Sequence, residues 1–218
     1  IGGRVAAFER HLARLSIGAR VIALQLPGGI DGIRSIVQQT LTARGSSDGY
    51  VRLVVTRGSG PLGVDPTTCE VPRVICIATN LKLYSEEMLA RGLSMITASV
   101  RRPPPDVLDP RVKSLNYLNN AMAKLEARRQ GADEALLLNT AGRVAEAAVA
   151  NVFVVRNGML YTPPGAEGAL EGINRGVVLE VAAKLGLVAH QMPLSRYDIL
   201  AADEVFLTGS GAGLVPVT

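Results

Sequence analysis

Four short strand candidates follow one another between residues 134 and 161, and their close spacing constrains the fold more than any other feature. They lie near 134–138, 144–146, 151–155 and 159–161. Asn157-Gly158 separates the last two, and Asn-Gly is the preferred sequence of a two-residue β-hairpin turn. The C-terminal half is therefore predicted to be rich in β-sheet.

The rest of the chain alternates helical and strand patterns. The hydrophobic fraction is 48% but the aromatic fraction only 4%, so the core is predicted to consist of aliphatic side chains in an α/β protein. Further strands are predicted at 4–7, 50–56, 74–78, 94–100 and 205–207. Helices are predicted at 8–24, at 32–43 with Asp31 as its cap, and at 177–185.

A further helical pattern follows Lys113. Leu118, Ala121, Met122 and Leu125 recur at the spacing of one helix face, and Gly131 marks its end. The pattern predicts that these four residues are buried and that Lys113 stands at the helix start. A lysine there meets an unfavourable helix dipole, which helps to keep its amine neutral and reactive.

The proline-rich segment 101–106 is the predicted domain boundary, because consecutive prolines favour a stiff polyproline conformation. The predicted organisation is a smaller N-terminal α/β domain over 1–102, a linker over 103–112 and a larger β-rich domain over 113–218. The chain begins at Ile1 and ends in an apolar run at Thr218, so we expect that it was cut from something longer.

Composition also limits the partners. The net charge is +4, but the densest basic pairs, Arg101-Arg102 and Arg128-Arg129, lack interleaved aromatic residues. We therefore expect the protein to bind small anions rather than nucleic acid. No apolar run reaches the ~18 residues of a membrane span. Cys69 and Cys76 form no metal-ligand pattern, and two histidines support neither a metal site nor a Ser-His-Asp site. We therefore expect a reduced, cytoplasmic protein.

Two backbone segments are candidates for binding a phosphate. One is the helix start at Ile173-Asn174, and the other is the turn Gly209-Ser210-Gly211. Neither segment matches a phosphate-binding P-loop or a dinucleotide fingerprint. Each is a weak signal alone, because glycine turns usually only end strands.

Lys113 and Glu146 are the candidate chemical residues, and each also has an ordinary interpretation. An isolated lysine is usually solvated rather than nucleophilic. Glu146 sits within an apolar run, so it is either exposed by strand alternation or buried with a partner, because burial of a lone carboxylate is too costly.

Five sequence motifs resolve these alternatives through their order along the chain. They are Phe8-x-x-His11-x-x-Arg14-Leu15, Lys113-Ser114-Leu115-Asn116-Tyr117, Glu146-x4-Asn151-Val152-Phe153, Gly172-Ile173-Asn174-Arg175 and Gly209-Ser210-Gly211-Ala212. Together they resemble class IV aminotransferases over essentially the whole chain. That family includes branched-chain aminotransferases, D-amino acid aminotransferases and aminodeoxychorismate lyases. The resemblance implies a two-domain, fold-type IV homodimer of α/β (α+β) class that uses pyridoxal 5'-phosphate (PLP).

The resemblance also implies roles for individual residues. Lys113 would bond to PLP and carry the catalytic proton, and Glu146 would hold the pyridine nitrogen protonated. Tyr117 would contact the 3'-oxygen of the cofactor. The implied phosphate contacts are Arg14, Ile173, Asn174, Gly209 and Ser210. Substrate carboxylates would be held by Arg57 or by the backbone of Gly211 and Ala212.

The sequence also departs from the family pattern. Relatives usually have glycine and serine after the glutamate, where this chain has Ala147-Ala148-Val149-Ala150, and they usually have threonine where Asn174 stands. The expected activity is transfer of an amino group between an amino acid, most like the branched-chain substrates, and a 2-oxo acid. The alternatives are an aminodeoxychorismate lyase, a D-amino acid aminotransferase, and a phosphate-binding protein without catalysis.

Overall fold

The computed structural model describes residues 1–218, which form two compact units. The N-terminal unit spans Ile1–Leu81 and the C-terminal unit spans Lys82–Thr218. This division precedes the predicted proline-rich boundary because β3 (Met95–Thr97) pairs in parallel with β4 (Glu134–Leu138) of the C-terminal unit. Residues 101–106 form neither helix nor strand apart from one isolated bridge, as the polyproline pattern predicts.

The N-terminal unit contains two helices and a two-stranded antiparallel sheet. The elements are α1 (Phe8–Val21), α2 (Gly29–Arg44), β1 (Tyr50–Thr56) and β2 (Arg73–Thr79), with a short 3-10 helix at Pro66–Thr68. β1 has the predicted bounds, and α2 packs against β2. The fully buried side chains are Leu12, Ala19, Ile33 and Val37, which lie on the two helices.

Two local predictions in this unit are wrong. Residues 4–7 form turns rather than a strand, because no neighbouring strand pairs with them and Ala7 has a φ of 48°. Asp31 does not cap α2. The helix begins at Gly29, two residues before Asp31, and the cap position is held by Gly28 in the left-handed region. Asp31 therefore lies in the first turn, where its negative charge is favourable.

The C-terminal unit contains two sheets and four helices. Besides β3 and β4, its strands are β5 (Val144–Ala147), β6 (Asn151–Arg156), β7 (Met159–Thr162), β8 (Ala189–Gln191), β9 (Glu204–Gly209) and β10 (Gly213–Val217). The three-stranded sheet has the order β3-β4-β5, and the five-stranded sheet has the order β10-β9-β6-β7-β8. The helices are α3 (Glu86–Arg91), α4 (Leu118–Arg129), α5 (Ile173–Lys184) and α6 (Arg196–Leu200).

The predicted strand succession between residues 134 and 161 is confirmed. β4 has the predicted bounds, and β5, β6 and β7 differ from prediction only at their last residues. Asn157 and Gly158 both have positive φ, 51° and 73°, which the two central residues of a type I′ hairpin turn require. This turn joins antiparallel β6 and β7.

The predicted buried face of α4 is wrong. Its buried residues are Asn120, Ala123 and Ala127, whereas Leu118 is 71% exposed. Ala123 and Ala127 pack in a cluster with Ala135 and Leu137 of β4. Small side chains let a helix and a sheet approach closely, so the weakly hydrophobic face is the one that becomes buried.

Candidate active site

Lys113 lies in the irregular segment that precedes α4. Its Nζ donates a hydrogen bond to the Tyr117 Oη over 2.8 Å. Tyr117 is the residue immediately before the helix, so Lys113 is not at the helix start as predicted. The helix-dipole argument for its reactivity is therefore wrong, but the lysine and the tyrosine that the motif predicted together are in direct contact.

Glu146 lies on β5 and is buried, so of its two sequence interpretations the buried one is correct. One carboxylate oxygen, Oε1, accepts a hydrogen bond from the Arg102 guanidinium at 2.7 Å. The other, Oε2, accepts from the backbone N–H of Leu170 at 2.9 Å and from the Asn151 amide at 3.2 Å. A carboxylate has about four acceptor positions, so these contacts leave about one for a further donor.

The charge of Glu146 depends on opposing effects. Burial, the largest effect, raises the pKa of Glu146, because a carboxylate loses hydration in the interior. The Arg102 cation, the Leu170 N–H and the Lys113 ammonium each lower that pKa. The effect of Lys113 shows that the two chemical residues proposed from sequence lie within electrostatic range of each other.

Asn151 links Glu146 to the segment that leads into α5. Its amide group donates to Glu146 and also to the Leu170 carbonyl at 2.7 Å. A Cβ added to Gly172 would lie only 2.1 Å from the Asn151 Oδ1, so the start of α5 packs directly against this side chain. Glycine is therefore required at position 172 by close approach rather than by backbone conformation, since its φ is −65°.

The two predicted anion sites lie together in the fold. The Asn174 amide, in the first turn of α5, donates to the Gly209 carbonyl at 3.0 Å. No side chain caps α5, so its first backbone N–H groups have no partner within the helix. The turn after Gly209 begins with the exposed Ser210 and brings the Ala212 N–H to the Gly209 carbonyl at 3.2 Å. Helix start and turn thus form one set of candidate phosphate donors.

The remaining predicted site residues belong to the N-terminal unit. Arg14 lies on α1, one turn from His11, and both are partly buried. Arg57 donates to the carbonyls of Ile22, at a short distance, and Ala23, at 3.0 Å. Its guanidinium borders a cavity of about 410 Å³. The roles of Arg14 and Arg57 stay predictions.

Arg102 and Asn120 were not predicted from the sequence as site residues. Arg102 was assigned to the domain boundary, yet its guanidinium pairs with Glu146 and its side chain is only 11% exposed. Asn120 accepts from Arg102 at 2.9 Å. The one available signal was the requirement that a buried carboxylate have a partner, which does not say where along the chain that partner lies.

No group of three or more His, Cys, Asp or Glu side chains is arranged to hold a metal ion. No helix has the length and apolar character needed to cross a membrane.

Comparison with known proteins identifies the class. The sequence matches the profile of the amino-transferase class IV family over residues 1–218. The crystal structure of Escherichia coli branched-chain amino acid aminotransferase has a TM-score of 0.91 and 30% identity, covering 95% of this chain and 69% of that one. A branched-chain amino acid aminotransferase from T.th., solved with pyridoxamine 5'-phosphate, has a TM-score of 0.89 and 34% identity, covering 96% and 68%. The chain therefore belongs to the class IV aminotransferases and has the fold-type IV architecture.

Within that family, a branched-chain aminotransferase relative is more similar in sequence to this chain than a lyase relative is. A Methanocaldococcus jannaschii protein, provisionally assigned as a branched-chain-amino-acid aminotransferase, is 43% identical over 216 residues, which cover 99% of this chain and 74% of the relative. A Legionella pneumophila structure, provisionally assigned as a 4-amino-4-deoxychorismate lyase, has a TM-score of 0.89 but 26% identity, covering 99% and 78%.

Proposed function

We propose that this protein is a PLP-dependent transaminase that moves an amino group between a branched-chain amino acid and a 2-oxo acid. The observation that carries the proposal is Glu146, a buried carboxylate with about one acceptor position left, within electrostatic range of Lys113. The similarity to branched-chain enzymes supports the substrate class.

The residues of the C-terminal unit suit the cofactor. When bound, PLP supplies an electron sink for the carbanion that forms at the substrate Cα. Glu146 would hold a proton at the pyridine nitrogen, and that cation would complete the set of partners around the buried carboxylate. The N–H groups of Ile173 and Asn174, together with Gly209 and Ser210, would bind the phosphate.

Lys113 and Tyr117 would have separate roles in proton transfer and cofactor binding. Lys113 would bind the cofactor covalently and move the proton between the substrate Cα and C4' of the cofactor. Tyr117 would donate its hydroxyl hydrogen to the 3'-oxygen. Because the Lys113 Nζ and the Tyr117 Oη are 2.8 Å apart, the protonation state of each group would affect that of the other. Arg57, or the backbone of Gly211 and Ala212, would bind the substrate carboxylate.

Absorbance spectroscopy tests the cofactor assignment. The purified protein supplied with PLP should show an absorbance band near the edge of the visible range that is bleached by borohydride. Lys113→Ala should lose the band and all turnover but keep its fold, because Lys113 lies outside the core. Lys82→Ala is the matched control, since Lys82 is an exposed lysine that pairs only with exposed Glu86. A Lys113→Ala variant with wild-type transamination rates would contradict the assignment.

A substrate panel tests the reaction. Branched-chain L-amino acids with 2-oxoglutarate should be turned over faster than their D-forms. Release of pyruvate from aminodeoxychorismate, without amino transfer, would instead indicate the lyase. Binding of phosphate ligands without turnover of any substrate would indicate a protein that is not a catalyst.

The proposed assembly is a homodimer, as the resemblance to class IV aminotransferases implies. Analytical ultracentrifugation of the loaded protein should give twice the mass of one chain. A monomer with full activity would contradict this part of the proposal. A cytoplasmic location stays a prediction.

A further inference from the structure

We propose that Arg102, held by Asn120, is a positioning residue that keeps Glu146 ionised and fixed for its role at the pyridine nitrogen. This inference rests on the proposed function of Glu146. Arg102 is not expected to contact the substrate or the reacting atoms. Its effect would pass entirely through the carboxylate.

All three guanidinium nitrogens of Arg102 are in use. Nη2 donates to Glu146 Oε1 at 2.7 Å, Nη1 to the Asn120 Oδ1 at 2.9 Å, and Nε to the Gly168 carbonyl at 3.1 Å. A planar group held at three corners has one orientation, so the hydrogen bond to Glu146 is fixed in direction as well as in length.

Asn120 ties this guanidinium to the segment that follows Glu146. It is buried on α4, where its Oδ1 accepts from Arg102 and its Nδ2 donates to the Ala148 carbonyl at 2.7 Å. Arg102 and the backbone two residues after Glu146 are therefore joined through one side chain. This explains why an asparagine occupies a helix face that is otherwise lined with alanine.

The backbone around Arg102 is equally constrained. The Arg102 N–H donates to the Leu138 carbonyl at 2.8 Å, at the end of β4. Gly168 has a φ of 97°, and a Cβ there would lie 2.9 Å from the Arg102 Cγ. Position 168 thus leaves just enough space for the arginine side chain and supplies a carbonyl for its Nε.

The positive charge of Arg102 distinguishes this role from that of a purely structural ion pair. A buried carboxylate without a cation favours its neutral, protonated form. A protonated Glu146 would keep the proton that it is proposed to hold on the pyridine nitrogen. Arg102 shifts that proton toward the nitrogen by stabilising the carboxylate. A purely structural ion pair would affect stability but would not move the proton.

Nuclear magnetic resonance distinguishes the two roles directly. The protein is loaded with PLP carrying ¹⁵N in the pyridine ring, and the ¹⁵N shift is measured near neutral pH. The wild type should give the shift of a protonated ring. Arg102→Met should move it toward the neutral ring, and Arg102→Lys should restore part of the difference because it keeps the charge without the planar contacts.

Transamination should fall in parallel. We expect a loss of roughly 10–100-fold for Arg102→Met, comparable with the loss of one charge-assisted hydrogen bond. Arg156→Met is the matched control, because Arg156 forms a partly exposed ion pair with Asp198 in the same unit. It should change neither the ¹⁵N shift nor the rate.

Two further variants cover the case in which Arg102→Met does not fold and separate the role of Arg102 from that of Glu146. Asn120→Ala keeps the charge of Arg102 but frees its orientation, so it should shift the ¹⁵N signal partway even if Arg102→Met does not fold. An unchanged signal in Arg102→Met, or in Asn120→Ala where Arg102→Met is insoluble, would overturn the inference. Glu146→Gln separates the two levels: if it also leaves the ring protonated, the proposed role of Glu146 fails, and if it alone shifts the signal, only the role of Arg102 fails.

Discussion

Substitution of Gly172 by alanine tests how the start of α5 is coupled to the carboxylate site. The added Cβ would lie 2.1 Å from the Asn151 Oδ1 and 3.3 Å from its Cγ. Gly172 already has a φ of −65°, which alanine adopts without strain, so the substitution adds a steric contact and a helix-cap penalty of no more than about 1 kcal/mol. The next neighbour, the Arg175 Cβ at 3.5 Å, is at an ordinary distance.

The expected magnitude follows from the contacts that Asn151 must give up. Its amide donates to the charged Glu146 at 3.2 Å in the protein interior and to the partly buried Leu170 carbonyl at 2.7 Å. A hydrogen bond to a charged group contributes about 1.5–3 kcal/mol, and a neutral one about 1 kcal/mol. Gly172→Ala should therefore lower the free energy of unfolding by about 2–4 kcal/mol.

The assay is a double-mutant cycle, in which chemical unfolding of the apoprotein is monitored by circular dichroism. In an Asn151→Ala background the steric conflict is absent. Gly172→Ala should then cost no more than about 1 kcal/mol, the difference between glycine and alanine as a helix cap. The two substitutions should be strongly non-additive. Equal costs of Gly172→Ala in both backgrounds would refute the reasoning, since the contact with Asn151 would then not be its cause.

Three further predictions concern individual charges. Glu146→Gln should keep the borohydride-sensitive band but lower the transamination rate by several orders of magnitude, because a neutral amide does not hold the pyridine proton; an unchanged rate would contradict this. Lys124→Met should lower the free energy of unfolding by about 3–5 kcal/mol, since it leaves Glu134 buried without its cation; urea unfolding measures the loss. The pKa of Asp198 is lowered, chiefly by the backbone N–H of Ser195, so its stabilisation is present above the unfolded pKa of about 4 and is lost as the pH falls through the lower folded pKa. Asp198→Asn should thus cost about 1 kcal/mol near neutral pH and little in acid, as thermal melts at both pH values would show.

Local signals predicted most of the strands, although residues 4–7 form turns and β10, which follows the strand predicted at 205–207, was not predicted. β1 and β4 have the expected bounds, and the Asn157-Gly158 turn joins the expected hairpin. Each of these elements is specified by a short segment, either a β-branched and aliphatic run or a turn that needs positive φ. The α4 face failed because its buried side of Asn120, Ala123 and Ala127 is selected by what the sheet can accommodate, and hydrophobicity along the helix does not contain that information.

The candidate site was predictable only in part, for a related reason. Glu146 and Lys113 could be proposed from the order of motifs, but the partner of Glu146 could not. Arg102 lies 44 residues before it, in a segment whose prolines suggested a linker. Pairing across such a separation is set by the sheet register and by the course of the loop, which local patterns do not encode.

A comparison within the C-terminal unit shows what distinguishes a candidate functional carboxylate from a structural one. Glu134 and Glu146 both lie on buried strands, both pair with a cation at 2.7–2.8 Å, and both accept three hydrogen bonds. Glu134 has a side-chain exposure of 0%, so nothing further can reach it, and Lys124 completes its charge balance. Glu146 keeps 7% exposure and is influenced by a second cation, Lys113, which no hydrogen bond ties to it. The proposed role of Glu146 requires this residual access, because the pyridine nitrogen would have to reach the carboxylate as a fourth donor.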